Sequence, residues 1–256
     1  MTWLPERLPE GKRLYFASDF HLGAPDKEKS RERERRIVRW LDAVAPDAQA
    51  IFLMGDLFDF WFEYRHVVPK GFIRLQGKLA QLADSGIQIV FFTGNHDMWM
   101  FDYFSDELGI PVYKDPKEFT INGKKFLIGH GDGLGPGDAV YKILKKIFAN
   151  RTCQLLFGFL HPFMGMGIAN AWSSRSRLHN NKKEGMVAVE SEWLYTWCKE
   201  QEAKEHRNFY IFGHRHLPLD LPVGPESRYL NLGEWLNHFT YAVFDGENMA
   251  LKTFEG

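Results

Sequence analysis

Five times along this chain a short apolar run breaks off into a polar cluster built from Asp, Asn and His. The clusters are Asp19-Phe20-His21, Gly55-Asp56-Leu57-Phe58-Asp59, Gly94-Asn95-His96-Asp97, Gly129-His130-Gly131-Asp132 and Gly213-His214-Arg215-His216. The runs before them include Arg13 to Ser18, Ala50 to Met54, Ile87 to Thr93, Lys124 to Ile128 and Phe209 to Phe212, short enough and apolar enough to be buried strands. Longer helical patterns lie between the first of these. Ser30 to Ala45 carries Ile37, Val38, Trp40, Leu41 and Val44 at helical spacing, and Phe72 to Ala83 ends before Gly86. Strand, helix, strand in this order predicts an α/β domain around a mostly parallel sheet. In such a sheet the carboxyl ends of the strands form the ligand crevice, so the clusters should converge.

Taken singly, an Asp-x-His or Gly-His pair is an ordinary loop feature; five in this order, each behind a buried strand, read as a metal site. Alternation predicts that Asp19 and His21 share one face, and likewise His214 and His216, so that each pair grips one ion. The donors are carboxylate, imidazole and amide oxygen, a set that suits Mn, Fe or Zn better than Ca or a structural zinc site. Asp56 could bridge two ions roughly 3.5 to 4 Å apart. Glycines at 55, 94, 129 and 213 leave room for the chain to turn beside them. Cys153 and Cys198 make no spaced cluster, which excludes a thiolate site and predicts a reducing compartment.

Beyond Gly109 the pattern changes to short strands, with Asn122-Gly123 as the turn of a hairpin from Glu118 to Ile128. Residues 138–183 read as a helical cap inserted into a core made of 1–137 and 184–256. Within it, Thr152 to Ser174 has no charged residue, while Lys142, Lys145, Lys146 and Arg151 precede it and Arg175, Arg177, Lys182 and Lys183 follow. That length could cross a bilayer, but a single pass would put His130 and His214 on opposite sides. Basic flanks around an apolar stretch fit peripheral contact with an anionic membrane. A helix from Met186 to Lys204 and strands at Arg228 to Leu232, Phe239 to Phe244 and Met249 to Phe254 complete the reading. The run Arg31 to Arg36 reads as a solvated helix face. Net charge is −1 with 25% charged residues, giving no sign of a nucleic-acid partner. The N-terminus lacks the apolar core of a secretory signal, so a cytoplasmic location is expected.

The ordered clusters resemble the calcineurin-like metallophosphoesterases, and the likeness runs from Arg13 to about Leu217. The resemblance implies a sandwich of two β-sheets flanked by helices. It implies one divalent ion on Asp19, His21, Asp56 and His216 and a second on Asp56, Asn95, His130 and His214, most simply Mn2+, with water activated between them as the nucleophile. His96 is then the proton donor or phosphate contact, and His96 and Asp56 the catalytic pair. Within that superfamily the chain is similar to the UDP-2,3-diacylglucosamine hydrolases of lipid A synthesis. Asp138 and Tyr141 lead into the cap at that family's spacing; Ser176, Asn180 and Lys183 match its downstream arm; Leu232-Gly-Glu-Trp235 matches its Leu-Gly-x-Trp turn. This likeness implies a UDP-linked diacylated glucosamine as substrate, held by Asn95, His96, Asp138, Tyr141, Ser176, Asn180, Lys183 and His214. It implies peripheral attachment to the inner face of the inner membrane. The family has Arg where this chain has His96, and Gly-Asn-His-Asp is the wider superfamily's pattern. Two other readings remain: a soluble phosphodiesterase or phosphoprotein phosphatase, and a metal-binding scaffold that recruits partners through its cap.

Overall fold

The computed structural model describes residues 4–135, 139–168 and 192–256. The strands are β1 Arg13–Ala17, β2 Ala48–Met54, β3 Gln88–Phe92, β4 Val112–Tyr113, β5 Lys117–Ile121, β6 Lys124–Ile128, β7 Phe209–Phe212, β8 Pro218–Gly224, β9 Ser227–Leu232, β10 Thr240–Phe244 and β11 Met249–Thr253. They form two sheets, one in the order β11-β10-β1-β2-β3-β4 and one in the order β5-β6-β7-β9-β8. In the first sheet β1 to β4 are parallel, as the alternating pattern predicts, and β10 and β11 add an antiparallel edge.

Why the strands read as continuously apolar is visible in the layers. Leu14, Phe16, Ala50, Phe52, Val90 and Phe92 face the second sheet and meet Phe119, Phe126, Ile128 and Ile211. Their neighbours Tyr15, Ala17, Ile51, Leu53 and Phe91 face the other way, under helices α1 Lys27–Val44, α2 Ile73–Asp84 and α3 Tyr103–Leu108. The second sheet is covered on its outer side by α7 Trp193–Glu202, through Leu194 and Cys198 against Tyr210, Phe212 and Tyr229. Where both faces are buried, as in β1, β2, β3 and β7, period-two alternation disappears from the sequence, whereas the edge strand β5 keeps it, with Phe119 and Ile121 buried and Glu118 and Thr120 exposed. Trp235 is fully buried against Phe20 and Trp40, and its N–H donates to the Asp19 carbonyl at 3.1 Å. The turn matched in the sequence thus braces the first metal loop from behind.

The charged start of α1 is not the solvated face expected of it. The helix begins earlier, at Lys27, because Asp26 accepts hydrogen bonds from the Glu28 and Lys29 N–H groups. Arg33 and Glu34 are buried. Arg33 donates to the carbonyls of His21, at 2.6 Å, and of Ala24, holding the first metal loop, and Glu34 accepts from the N–H of Arg74 and Leu75. Those are free donors at the start of α2, where Phe72 supplies no side-chain cap. Three elements escape periodicity: α3, whose first N–H groups are collected by Glu63, the two-residue β4, and β8, an edge strand that tolerates Pro218 and Pro222. The helix expected from Met186 begins at Trp193 in the described residues, capped by Glu192.

The apolar stretch of the cap is interrupted. Helices α4 Ala139–Ala149 and α5 Arg151–Gly158 are followed, after a break at 159–161, by helical residues 162–168, α6. Among the described residues no helix is long and apolar enough to cross a membrane. Trp99 and Phe62 of the core stack against Phe157 at 4.7 and 4.8 Å, and the Trp99 indole donates to the Phe148 carbonyl, which seats α4 and α5 on the loops of the first sheet.

Candidate metal centre

All five clusters meet at one end of the sandwich, but not through strand alternation. Asp19, His21, Asp56, His214 and His216 have left in φ the range of a strand, with values of 56°, 44°, 53°, 69° and 56°. Left-handed turns aim these side chains, at a cost on the order of 1 kcal/mol each for residues with a Cβ. Hydrogen bonds between loops offset it: Asp19 N–H to the Gly55 carbonyl, His21 N–H to that of Asp56, and His214 N–H to Asp19 Oδ2. Two glycines serve by their lack of a side chain. A Cβ on Gly94 would lie 2.2 Å from Asp56 Oδ1, and one on Gly213 would lie 2.4 Å from Asp19 Oδ2.

Among the described residues three groups have one ligand atom per residue within 4.8 Å of the others: Asp19, His21 and His216; Asp56, His130 and His214; and His21 with Asp59 and His96. The first two take in the expected carboxylate and imidazole donors. His214 and His216 therefore divide between groups instead of gripping one ion as a pair, because both stand in left-handed turns with Arg215 between them. Nε2 of His21 and Nε2 of His216 face each other at 3.0 Å. Asn95 Oδ1 lies 3.2 Å from His130 Nε2 and 2.8 Å from His214 Nδ1. Asp56 Oδ2 sits between the groups, 3.3 Å from His130 Nε2 and 3.9 Å from His21 Nε2. Asp19 Oδ1 is buried without a hydrogen-bond donor, and a carboxylate oxygen so placed fits a cation. The mixture of oxygen and imidazole donors without thiolate fits divalent first-row metals.

The electrostatics of the protein alone lean the same way. Burial pushes the Asp56 carboxyl up, but the surrounding histidines, His130 foremost, overcome it and hold Asp56 well below the usual carboxylate range. Asp19 is likewise lowered, through His21 and His216, against its burial. Burial disfavours charge on His130, yet Asp56 and Asp19 raise it to about 10. Burial and then the His130 charge lower His214 to about 3, and burial lowers His96 to about 4. His130 thus carries a charge that faces the carboxylates.

Three acids quoted in the clusters, but given no role from sequence, turn out to hold the loops. Asp97 is fully buried; its Oδ2 accepts from Leu57 N–H and its Oδ1 from Gly94 N–H, each at 2.7 Å, so it ties the loop after β2 to the loop after β3. Burial and the neighbouring Asp56 push its carboxyl up to about 7. Asp59 Oδ1 lies 3.6 Å from His21 Nδ1, and the Asp59 carbonyl is 3.0 Å from His96 Nδ1. A carbonyl only accepts, so the His96 proton sits on Nδ1. Asp132 receives the Tyr141 hydroxyl at 2.5 Å and the Lys145 ammonium at 2.7 Å, joining the His130 loop to α4. The signal for all three was their fixed spacing from a metal-type residue, and only contacts across loops give it meaning. Tyr141 itself lies beside the centre, its ring 6.4 Å from that of His214. Asp138, Ser176, Asn180 and Lys183, with Arg175 and Arg177, lie outside the described residues.

A sandwich of two sheets with carboxylates, an amide and imidazoles converging from the ends of β1, β2, β3, β6 and β7 defines a binuclear metallohydrolase. The chain belongs to the calcineurin-like phosphoesterase family, whose pattern matches residues 12–229, and is a metal-dependent hydrolase using divalent cations. It is 39% identical to the UDP-2,3-diacylglucosamine hydrolase of Porphyromonas gingivalis, over 95% of this chain and 98% of that one. It is 28% identical to the enzyme of that name from Ectopseudomonas mendocina, over 94% of this chain and 98% of the other. Among solved structures, vacuolar protein sorting 29 of Cryptosporidium parvum aligns with a TM-score of 0.45 at 11% identity, over 95% of this chain and 97% of that one.

Proposed function

We propose that the chain hydrolyses the diphosphate of UDP-2,3-diacylglucosamine to UMP and 2,3-diacylglucosamine 1-phosphate, a step of lipid A synthesis. The 39% identity across nearly the whole of both chains carries this reading. Asp19, His21, Asp56 and His216 would hold one ion and Asp56, Asn95, His130 and His214 the other, with Mn2+ the expected metal. When bound, the ions lower the pKa of water and neutralise charge developing on the phosphoryl oxygens. The chain's own residues supply the rest. Asp56 would keep both donor groups in register, Asn95 and His214 would contact the phosphate, and His96, with its proton on Nδ1, would take or give a proton at Nε2.

Residues 138–183 would act as a lipid cap, with Asp138, Tyr141, Ser176, Asn180 and Lys183 contacting the sugar. Of the ten large apolar residues exposed among the described residues, eight lie between Ile143 and Ile168, including Phe159 at 86% and Phe163 at 82%. An apolar surface of that kind beside basic residues supports contact with acyl chains and attachment to the cytoplasmic face of the inner membrane. The test is UMP release from the lipid substrate in detergent with Mn2+, against a chelated control. His96, standing where the hydrolase family has Arg, favours a second reading as a soluble phosphodiesterase. Absence of UMP release together with turnover of an aryl phosphodiester would select it.

A further inference from the structure

A pocket of about 460 Å³ opens beside the second donor group, between α4, the loop before β5 and the loop after β6. Lys114, Lys142, Lys145 and Lys146 line it together with Asp115, and it reaches His130. Two of the four ammonium groups are committed to the protein: Lys145 to Asp132 and Lys142 to the Gly135 carbonyl at 2.5 Å. Lys114 and Lys146 are exposed and have no anionic partner among the described residues; Lys114 does lie over the Phe101 ring. The pocket is thus a net cationic chamber that borders the metal centre, large enough for one small ligand and in the usual range for such sites.

We propose that this pocket receives the nucleotide end of the substrate, with Lys114 and Lys146 as its phosphate-binding residues. The inference rests on the proposed diphosphate hydrolysis and adds where the leaving half of the substrate goes. Hydrolysis at the metal centre divides the substrate into a lipid monophosphate and a nucleoside monophosphate, and the two halves need separate exits. The apolar side of α4 to α6, with Ile143, Ile147, Leu155 and Phe159 exposed, offers a surface for acyl chains. The lysine pocket differs in its charge: its long side chains are the four lysines, whose stems make much of its apolar lining beside Pro116, Leu134 and Ala149. What it does offer is cations for a phosphate and, in Asp115, an acceptor for ribose hydroxyls or the N–H of a base.

The experiment compares the Mn2+-loaded wild type with the double variant Lys114→Ala/Lys146→Ala, using inhibition by UMP and by inorganic phosphate. A second double variant, Lys204→Ala/Lys252→Ala, removes the same charge far from the pocket. Loss of two phosphate contacts should weaken UMP inhibition by roughly tenfold or more and raise KM for the UDP-linked lipid by a similar factor. Inhibition by inorganic phosphate should weaken in the same variant, since the lysines bind that group, and the distant variant should behave as wild type. Equal losses in the two double variants would assign the lysines to general charge and overturn the pocket. Unchanged UMP inhibition would overturn it too, even with lipid hydrolysis intact. Direct titration of UMP into the same proteins separates the two readings: lysine-dependent UMP binding in a protein that leaves the lipid uncleaved upholds the pocket and removes only the lipid substrate.

Discussion

The metal loops and the cap are built on opposite principles. Around the centre, polar residues are buried and every loop is fastened to another: Asp97 to the loop of Asp56, Arg33 and Trp235 to the loop of Asp19, Asp132 to α4. In the cap, apolar residues are exposed, and α5 carries no buried side chain at all. Folding therefore accounts for the first region's contacts but not for the second's surface, which costs solubility unless something apolar meets it. The centre is held rigid by its own contacts, whereas on the proposed function the cap's apolar side would be completed by the substrate or a membrane.

Substitutions can break that comparison in either half. Asp56→Ala removes the carboxylate shared by both donor groups, and turnover should fall by about 10³ or more, equivalent to roughly 4 kcal/mol of barrier; steady-state kinetics with saturating Mn2+ checks it. Near-normal turnover would contradict the bridging role. Phe159→Ser with Phe163→Ser should lower partitioning onto anionic vesicles by about 10², given roughly 1.5 to 3 kcal/mol per buried Phe, while unfolding free energy changes by less than about 0.5 kcal/mol. A large loss of stability there would mean that the two rings are packed against protein in solution.

Asp97→Asn turns an acceptor into a donor against backbone N–H groups and should destabilise the fold by about 2 kcal/mol, near 30-fold in the folding equilibrium, measurable by urea denaturation. The smallest effect is graded with pH. His130, raised to about 10 by the carboxylates in the metal-free protein, must lose a proton to bind an ion. Apparent metal affinity should therefore rise by about tenfold per pH unit below 10 and release one proton, as calorimetry in buffers of different ionisation enthalpy would read. The stability that His130 contributes to the metal-free fold has the opposite sign. It is fully present below pH ~6.5 and is lost as pH rises towards 10, so the melting temperature without metal should fall across that window. A metal-free protein that gains stability there would disprove the charge assigned to His130.

The order of strands and the seven donors could be read directly, because buried strands are continuous apolar runs and metal donors are few residue types at strand ends. How the donors divide was implied by the family resemblance and not by local pattern. His214 and His216 look like a pair in sequence, yet left-handed turns send them to different groups. Arg33 and Glu34 look like part of a solvated charge run, yet loop carbonyls and the free N–H groups of α2 draw them inside. The acids Asp59, Asp97 and Asp132 stood in plain view without a role, since their partners lie on other elements: the His21 ring for Asp59, the Leu57 N–H for Asp97, and Tyr141 and Lys145 of α4 for Asp132. The second sheet was implied by the family resemblance alone, while local pattern determined the α/β framework with its parallel sheet and which clusters carry the chemistry. Which of them face each other, which bear charge and which surface stays bare was decided only when the loops met, because turn geometry and burial belong to the assembled fold and not to any one segment.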